Sequence, residues 1–236
     1  MLQRWHDLLF IHWPVSVEVI RPHLPGSLHI DTFDGQAWVG VVPFRLSGIR
    51  LRNCPPVPGF STFPEINVRT YVHAGEKPGV WFLSLDADSR LAIAVARAWY
   101  RLPYFSARMT VSSDDGVVRF FSVRHRPGPP GVRFVGWYRP TGEAAPAEPG
   151  TLAHWLTERY CLYSADAAGA VYRAEIHHAP WPLQPAEAGV DANALLASHG
   201  IDPPREPPLL HFAKRLDAVF WSPERVSSLC ALAELY

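Results

Sequence analysis

Proline and turn signals cut this chain into short segments, and most of the segments between them carry strand-like residues. The prolines cluster in CPPVPG (54–59), RPGPPG (126–131) and DPPREPP (202–208), where neither a helix nor a hydrogen-bonded ladder continues easily. Runs rich in β-branched and aromatic residues lie at 36–46, 65–72, 80–87, 107–111, 116–125, 132–139, 170–178 and 215–221. AGEKPG (74–79) and SSDDG (112–116) read as turns between neighbouring runs. So many short strands predict a mainly antiparallel sheet with enough strands to curl.

Helices are fewer. Ser89 caps RLAIAVARAWY, which is apolar on nearly every face until Arg97, so a helix buried all round is expected there. TLAHWLTERY (151–160) starts at a capping Thr151 and places Trp155, Leu156 and Arg159 on one side. A third helix is expected at DANALLASHG (191–200), capped by Asp191 and stopped by Gly200. Ser222-Pro223 opens a fourth, with Val226, Leu229, Cys230 and Ala233 at helical spacing. That tail, 222–236, would dock on the core or on a second copy, leaving a homo-oligomer open. No repeat and no long linker divides the 236 residues, so one α+β domain is expected over 1–236.

Composition narrows the function classes. Lys+Arg and Asp+Glu each total 22 and no like-charged run tracks a phosphate backbone, so nucleic acid is not an expected partner. Cys54, Cys161 and Cys230 are odd in number and widely spaced, which fits neither a disulfide framework nor a CxxC site and points to a reducing, cytoplasmic setting. The N-terminal MLQRWHDLLFIHWPV lacks the layout of a secretory signal, and no apolar run approaches the roughly 20 residues of a membrane span. GxGxxG, GxxxxGK[ST], HExxH and GxSxG are absent, so no cofactor is expected. His177 and His178 are adjacent and would point to opposite faces of a strand, so no metal site is expected.

The stretch FPEINVRTYV (63–72) carries the sharpest functional signal. As a strand it puts Glu65, Asn67, Arg69 and Tyr71 on one face and Ile66, Val68, Thr70 and Val72 on the other. Either the polar face meets solvent on a half-exposed strand, or it lines an enclosed site. The residues alone leave both open.

Several motifs in order, among them IHWPV, LPGSLHIDTFDGQAWVGVVPFRL, FPEINVRTYV, GVWFLSLDADS, ARAWYRLPYFSARM, GTLAHWLTERYCLY and HHAPWPL, resemble the YqjF-like family of uncharacterised bacterial proteins within the acetoacetate decarboxylase-like superfamily. The resemblance runs from about Trp5 to Trp221 and implies a cone-shaped antiparallel β-barrel with a few helices. It also implies that Pro64-Glu65 occupies the strand that gives the decarboxylases an interior carboxylate, so that the polar face lines a cavity.

Those decarboxylases form a Schiff base on a lysine of lowered pKa. In the similar segment here, WYRLPYF (99–105), Tyr104 and Phe105 stand where the lysine pair is expected, and the chain has only Lys77 and Lys214. A tyrosine cannot make an imine, so Schiff-base decarboxylation is not expected.

What remains is a small-molecule cavity with Glu65 as the candidate acid/base group and Asn67, Arg69, Tyr104 and Arg159 as candidate ligand-binding residues. An arginine fork suits a carboxylate, and a desolvated glutamate suits proton transfer. Three outcomes follow: a binder of a small carbonyl or carboxylate compound, a lysine-independent lyase or hydrolase, or a barrel filled by side chains, in which Glu65 pairs with an arginine of another strand. IHWPV and HHAPWPL are read as core and rim packing.

Overall fold

The computed structural model describes residues 1–56, 61–125, 131–202 and 206–226. In chain order the strands are β1 (Leu2–Val15), β2 (His29–Ile30), β3 (Ala37–Arg50), β4 (Phe63–Ala74), β5 (Lys77–Ala87), β6 (Tyr104–Asp114), β7 (Val117–Arg124), β8 (Arg133–Pro140), β9 (Cys161–Ala165), β10 (Val171–His178), β11 (Gln184–Asn193), β12 (Leu209–Phe220) and β13 (Glu224–Arg225). The helices are α1 (Val17–Ile20), α2 (Arg90–Tyr100) and α3 (Leu152–Thr157).

The strands join into one sheet that closes twice. One ring runs β5-β9-β10-β12-β1-β3-β4 and back to β5; a second runs β5-β6-β7-β8-β11-β12-β1-β3-β4 and back to β5. All pairs are antiparallel except β5 with β6 and β5 with β9. The strands β12, β1, β3, β4 and β5 therefore form a wall common to both rings.

Alternation along that wall feeds two cores. Leu9, Ile11, Val41, Ile66, Val68 and Phe212 pack with Met109, Phe120, Phe134 and Tyr138 of the second ring. Leu8, Phe10, Val42 and Phe44 belong to a separate cluster, and Tyr71 packs with Leu162 and Ile176 of the first ring. Neither face of β4 is a solvent face, because the wall has an interior on both sides. The half-exposed reading of FPEINVRTYV fails for that reason.

Three register shifts adjust the wall, the first between Leu2 and Arg4 of β1. Val68 pairs with Ser84 and Arg69 with Phe82, so Leu83 is the extra residue on β5 while β4 stays regular against β3. On β1 the register against β3 slips between His6 and Ile11, and Asp7 adopts a left-handed backbone with φ 51°. Its buried carboxylate is held by Lys214, 2.6 Å away, and by Arg45.

Ser89 caps α2 by accepting from the Ala92 amide, and Thr151 caps α3 in the same way through His154. Four expectations need correction. Helix α2 is not buried all round: Leu91 is 59% exposed, and only Ala92, Ile93 and Tyr100 are buried, since the helix lies against the ring and not within it. The helix expected at 191–200 is instead the end of β11 followed by a 3-10 turn, Ala197–His199, stopped by a left-handed Gly200. Pairing with β8 through Asn193 holds the start of that stretch extended against the helix propensity of its Ala and Leu residues, leaving too few residues before Gly200 for more than a short turn. The tail expected to be helical from Ser222 begins with Glu224–Arg225 as a strand on β10, and 227–236 lies outside the described residues. Finally, β1, β9 and β11 are strands that the sequence reading did not mark.

Candidate functional site

A cavity of about 110 Å³ lies inside the first ring. Its wall contains all five of the candidate residues: Glu65, Asn67, Arg69, Tyr104 and Arg159. The three from β4 arrive by alternation, and the other two arrive by chain reversals. Helix α2 ends at Arg101 in the left-handed conformation, φ 56°, and the chain turns through Leu102-Pro103 to start β6 at Tyr104, opposite Leu85. Its neighbour Phe105 turns the other way and packs 3.8 Å from the Arg124 guanidinium. Arg159 follows the end of α3, where its Nε donates to the Trp155 carbonyl at 2.6 Å.

Glu65 is buried and makes no ion pair with any described residue. Its Oε2 accepts a hydrogen bond from the Tyr104 hydroxyl at 2.8 Å, and Asn67 also hydrogen-bonds the carboxyl. Burial pushes its pKa up to about 8, with the nearby Asp86 adding to the shift and the two hydrogen bonds opposing it. Glu65 is thus mostly a neutral acid at pH 7. Burial, reinforced by Glu65, holds the Tyr104 phenol well above its ordinary range, so it stays a donor.

The two arginines differ. Arg159 is neutralised by Asp31, whose Oδ2 lies 2.5 Å from Nη1, and its guanidinium sits 4.2 Å from the Trp155 ring centroid and 5.0 Å from that of Tyr71. Arg69 has no carboxylate partner among the described residues. It makes a long contact, 3.4 Å, to the Leu156 carbonyl, also hydrogen-bonds the Tyr71 side chain, and stands 5.2 Å from the Phe10 ring and 5.8 Å from the Tyr71 ring. Three buried polar atoms on this wall have no hydrogen-bond partner among the described residues: Asn67 Oδ1, Arg69 Nε and Arg159 Nη2. Buried polar groups are nearly always satisfied, so three orphans on one cavity are informative.

Behind the wall, the Tyr71 hydroxyl meets His12 Nε2 at 2.7 Å, and burial holds the fully enclosed His12 imidazole well below its usual pKa, so the ring is neutral. Gly40 makes room for that ring, because a Cβ there would lie 2.8 Å from its Cδ2.

The rest of the lining was not singled out from the sequence. Trp5 and Trp181 stack at 5.5 Å on the cavity wall, and His178 stacks on Tyr160 at 4.6 Å. HHAPWPL is therefore not packing alone: His178 and Trp181 face the cavity, while His177 is exposed on the other side of β10. Neither lysine lines the cavity. Lys77 pairs with Glu175 at 3.1 Å, and Lys214 is 68% exposed beside Asp7. No cluster of three or more metal-ligating side chains occurs among the described residues, and no described helix is long and apolar enough to cross a membrane.

Comparison with known proteins follows the same lines. The family model DUF2071, described as an uncharacterized conserved protein, matches residues 2–217. The uncharacterized protein YqjF of Bacillus subtilis is 44% identical over 221 residues, covering 94% of this chain and 90% of that protein. Among solved structures, acetoacetate decarboxylase from Legionella pneumophila superposes with a TM-score of 0.61 at 12% identity, over 94% of this chain and 86% of that one. An acetoacetate decarboxylase-like enzyme from Sphingomonas wittichii gives 0.63 at 14% identity, over 95% and 92%. The enduracididine biosynthesis enzyme MppR complexed with pyruvate gives 0.64 at 10%, over 95% and 89%. At these identities the structural likeness establishes the acetoacetate decarboxylase-like fold.

Proposed function

The chain belongs to the DUF2071 family of uncharacterized conserved proteins, and from that premise we propose that it binds a small carboxylate or carbonyl compound inside its first ring, without a Schiff-base lysine. The observation that carries this reading is the Arg69 guanidinium, without a carboxylate partner among the described residues, on a cavity whose wall has three polar atoms left without a hydrogen bond there. A ligand carboxylate accepts from Arg69 Nε and Arg159 Nη2, and a ligand hydroxyl donates to Asn67 Oδ1. The fold neighbour complexed with pyruvate supports a ligand of this kind at the same level of generality.

A second reading adds turnover. A neutral Glu65, held by Tyr104 and Asn67, is placed to give its proton to a carbonyl oxygen or a developing carbanion, and to take one back in the reverse step. This is the chemistry of a lysine-independent lyase or hydrolase. Calorimetric titration of butyrate and 2-oxobutyrate into the wild-type protein and into Arg69→Leu tests the binding reading. Saturable binding to the first and loss of at least tenfold in the second are expected; equal affinity for both proteins contradicts it.

A further inference from the structure

We propose that the cavity selects monocarboxylates with an apolar tail and rejects dicarboxylates, an inference that rests on the binding reading above and names its ligand class. The charges come first. Arg69 is the one lining side-chain cation without a counter-ion among the described residues, because Arg159 is already paired with Asp31 at 2.5 Å and no lysine reaches the wall; the amine of Met1, which also lines it, donates to the Phe220 carbonyl at 2.7 Å. The lining histidine offers no second anchor: His178 Nδ1 lies 2.8 Å from the Ala179 carbonyl and Nε2 3.4 Å from the Arg159 carbonyl. One carboxylate is thus matched and a second is not.

One part of the remaining wall is aromatic, formed by Trp5, Phe44, Trp181 and Phe220. Away from Arg69, Phe10 meets Trp181 edge-on at 4.9 Å, Trp181 stacks on Trp5, and Trp5 meets Phe44 at 6.2 Å and Phe220 at 5.8 Å. Phe10, behind the wall, lies 5.2 Å from the guanidinium and also touches Trp181, so it joins the charged and aromatic parts of the lining from outside. A second carboxylate placed against these rings would lose its hydration without gaining a partner. An alkyl tail there gains about 0.8 kcal/mol per buried methylene, roughly a fourfold tightening for each. The volume, about 110 Å³, is below the roughly 150 Å³ of an apolar cavity that accepts benzene, so the gain ends after a short tail.

The test is a titration series of acetate, propionate, butyrate, valerate and hexanoate at one pH, with succinate as the dicarboxylate of butyrate's length. Expected is a stepwise tightening of about fourfold per methylene that levels off by hexanoate, with succinate at least tenfold weaker than butyrate. A flat series, or succinate binding as tightly as butyrate, overturns the inference while leaving carboxylate binding intact. Binding of none of the acids overturns the inference and the binding reading together. Val42→Leu, on the lining and packed in one cluster with Phe44 and Trp181, supplies an independent readout: filling that end should weaken valerate more than acetate, and equal loss for both would contradict the proposed tail position.

Discussion

The Tyr104 hydroxyl donates to Glu65 Oε2 across 2.8 Å, joining the first residue of β6 to the third residue of a long interior strand 39 positions earlier. The donor cannot form an imine, and the acceptor is too deeply buried to remain charged at neutral pH. This pair sets the cavity apart from a Schiff-base site and fixes where its pH dependence must come from.

Glu65 makes folding stability depend on pH. Its folded pKa of about 8 lies above its ordinary 4.5, so below pH 4.5 the carboxyl is protonated in both states and its stabilising share is fully present. As pH rises through 8 that share is lost, amounting to roughly 5 kcal/mol at full extent. Glu65→Gln should therefore melt higher than wild type at pH 9, with the gap closing toward pH 5. A gap of constant size across that range would show that Glu65 is not held neutral.

Ligand affinity should share this dependence. An ionised Glu65 repels a carboxylate seated at Arg69, so affinity for butyrate should fall above pH 8 in the wild type and stay level in Glu65→Gln. Calorimetry at pH 6.5 and 9.5 checks the contrast; a parallel fall in both proteins would place the titrating group elsewhere.

Arg69→Leu separates site from scaffold. With no carboxylate partner for Arg69 among the described residues, the substitution strands no buried charge, and the ligand-free protein should unfold within about 1 kcal/mol of wild type. Loss of 3–5 kcal/mol, the cost of breaking a buried ion pair, would identify Arg69 as architecture.

A true structural pair lies in the second ring. Arg124 and Asp86 are 3% and 1% exposed and meet at 2.7 Å and 3.0 Å, with Ser84 Oγ 3.3 Å from the guanidinium. Asp86→Ala should cost about 3–5 kcal/mol in denaturant unfolding, and adding Arg124→Met should restore most of it. No recovery in the double variant would contradict the charge-stranding account.

Neither lysine should trap a keto acid. Borohydride reduction with acetoacetate is expected to leave the protein mass unchanged, given Lys77 paired with Glu175 and Lys214 exposed beside Asp7. A stoichiometric adduct on either lysine would overturn the lysine-free reading.

The sequence disclosed β4 because its two faces differ in kind, and each face goes to a different core. It hid β1, in which Arg4, His6 and Asp7 interrupt the apolar pattern and are accommodated only by partners far along the chain: Asp217, Ser47 and the Lys214–Arg45 pair. It also hid β11, whose Ala, Gly and Pro residues carry little strand propensity and are held by pairing with β8. Glu65, Asn67 and Arg69 were legible from one local pattern, and Tyr104 and Arg159 through the family resemblance and a helix face. Trp5 and Trp181 were not, since nothing local distinguishes a tryptophan that lines a cavity from one that fills a core.

Diffraction from crystals soaked in 4-bromobutyrate tests the central claim most directly, because bromine on the terminal carbon gives an anomalous signal that marks the tail. The account predicts one bromine peak inside the first ring, near Trp5 and Trp181, with the carboxylate within hydrogen-bonding distance of Arg69. Crystals that stay empty there at saturating acid, or a peak only on the outer surface, would contradict it.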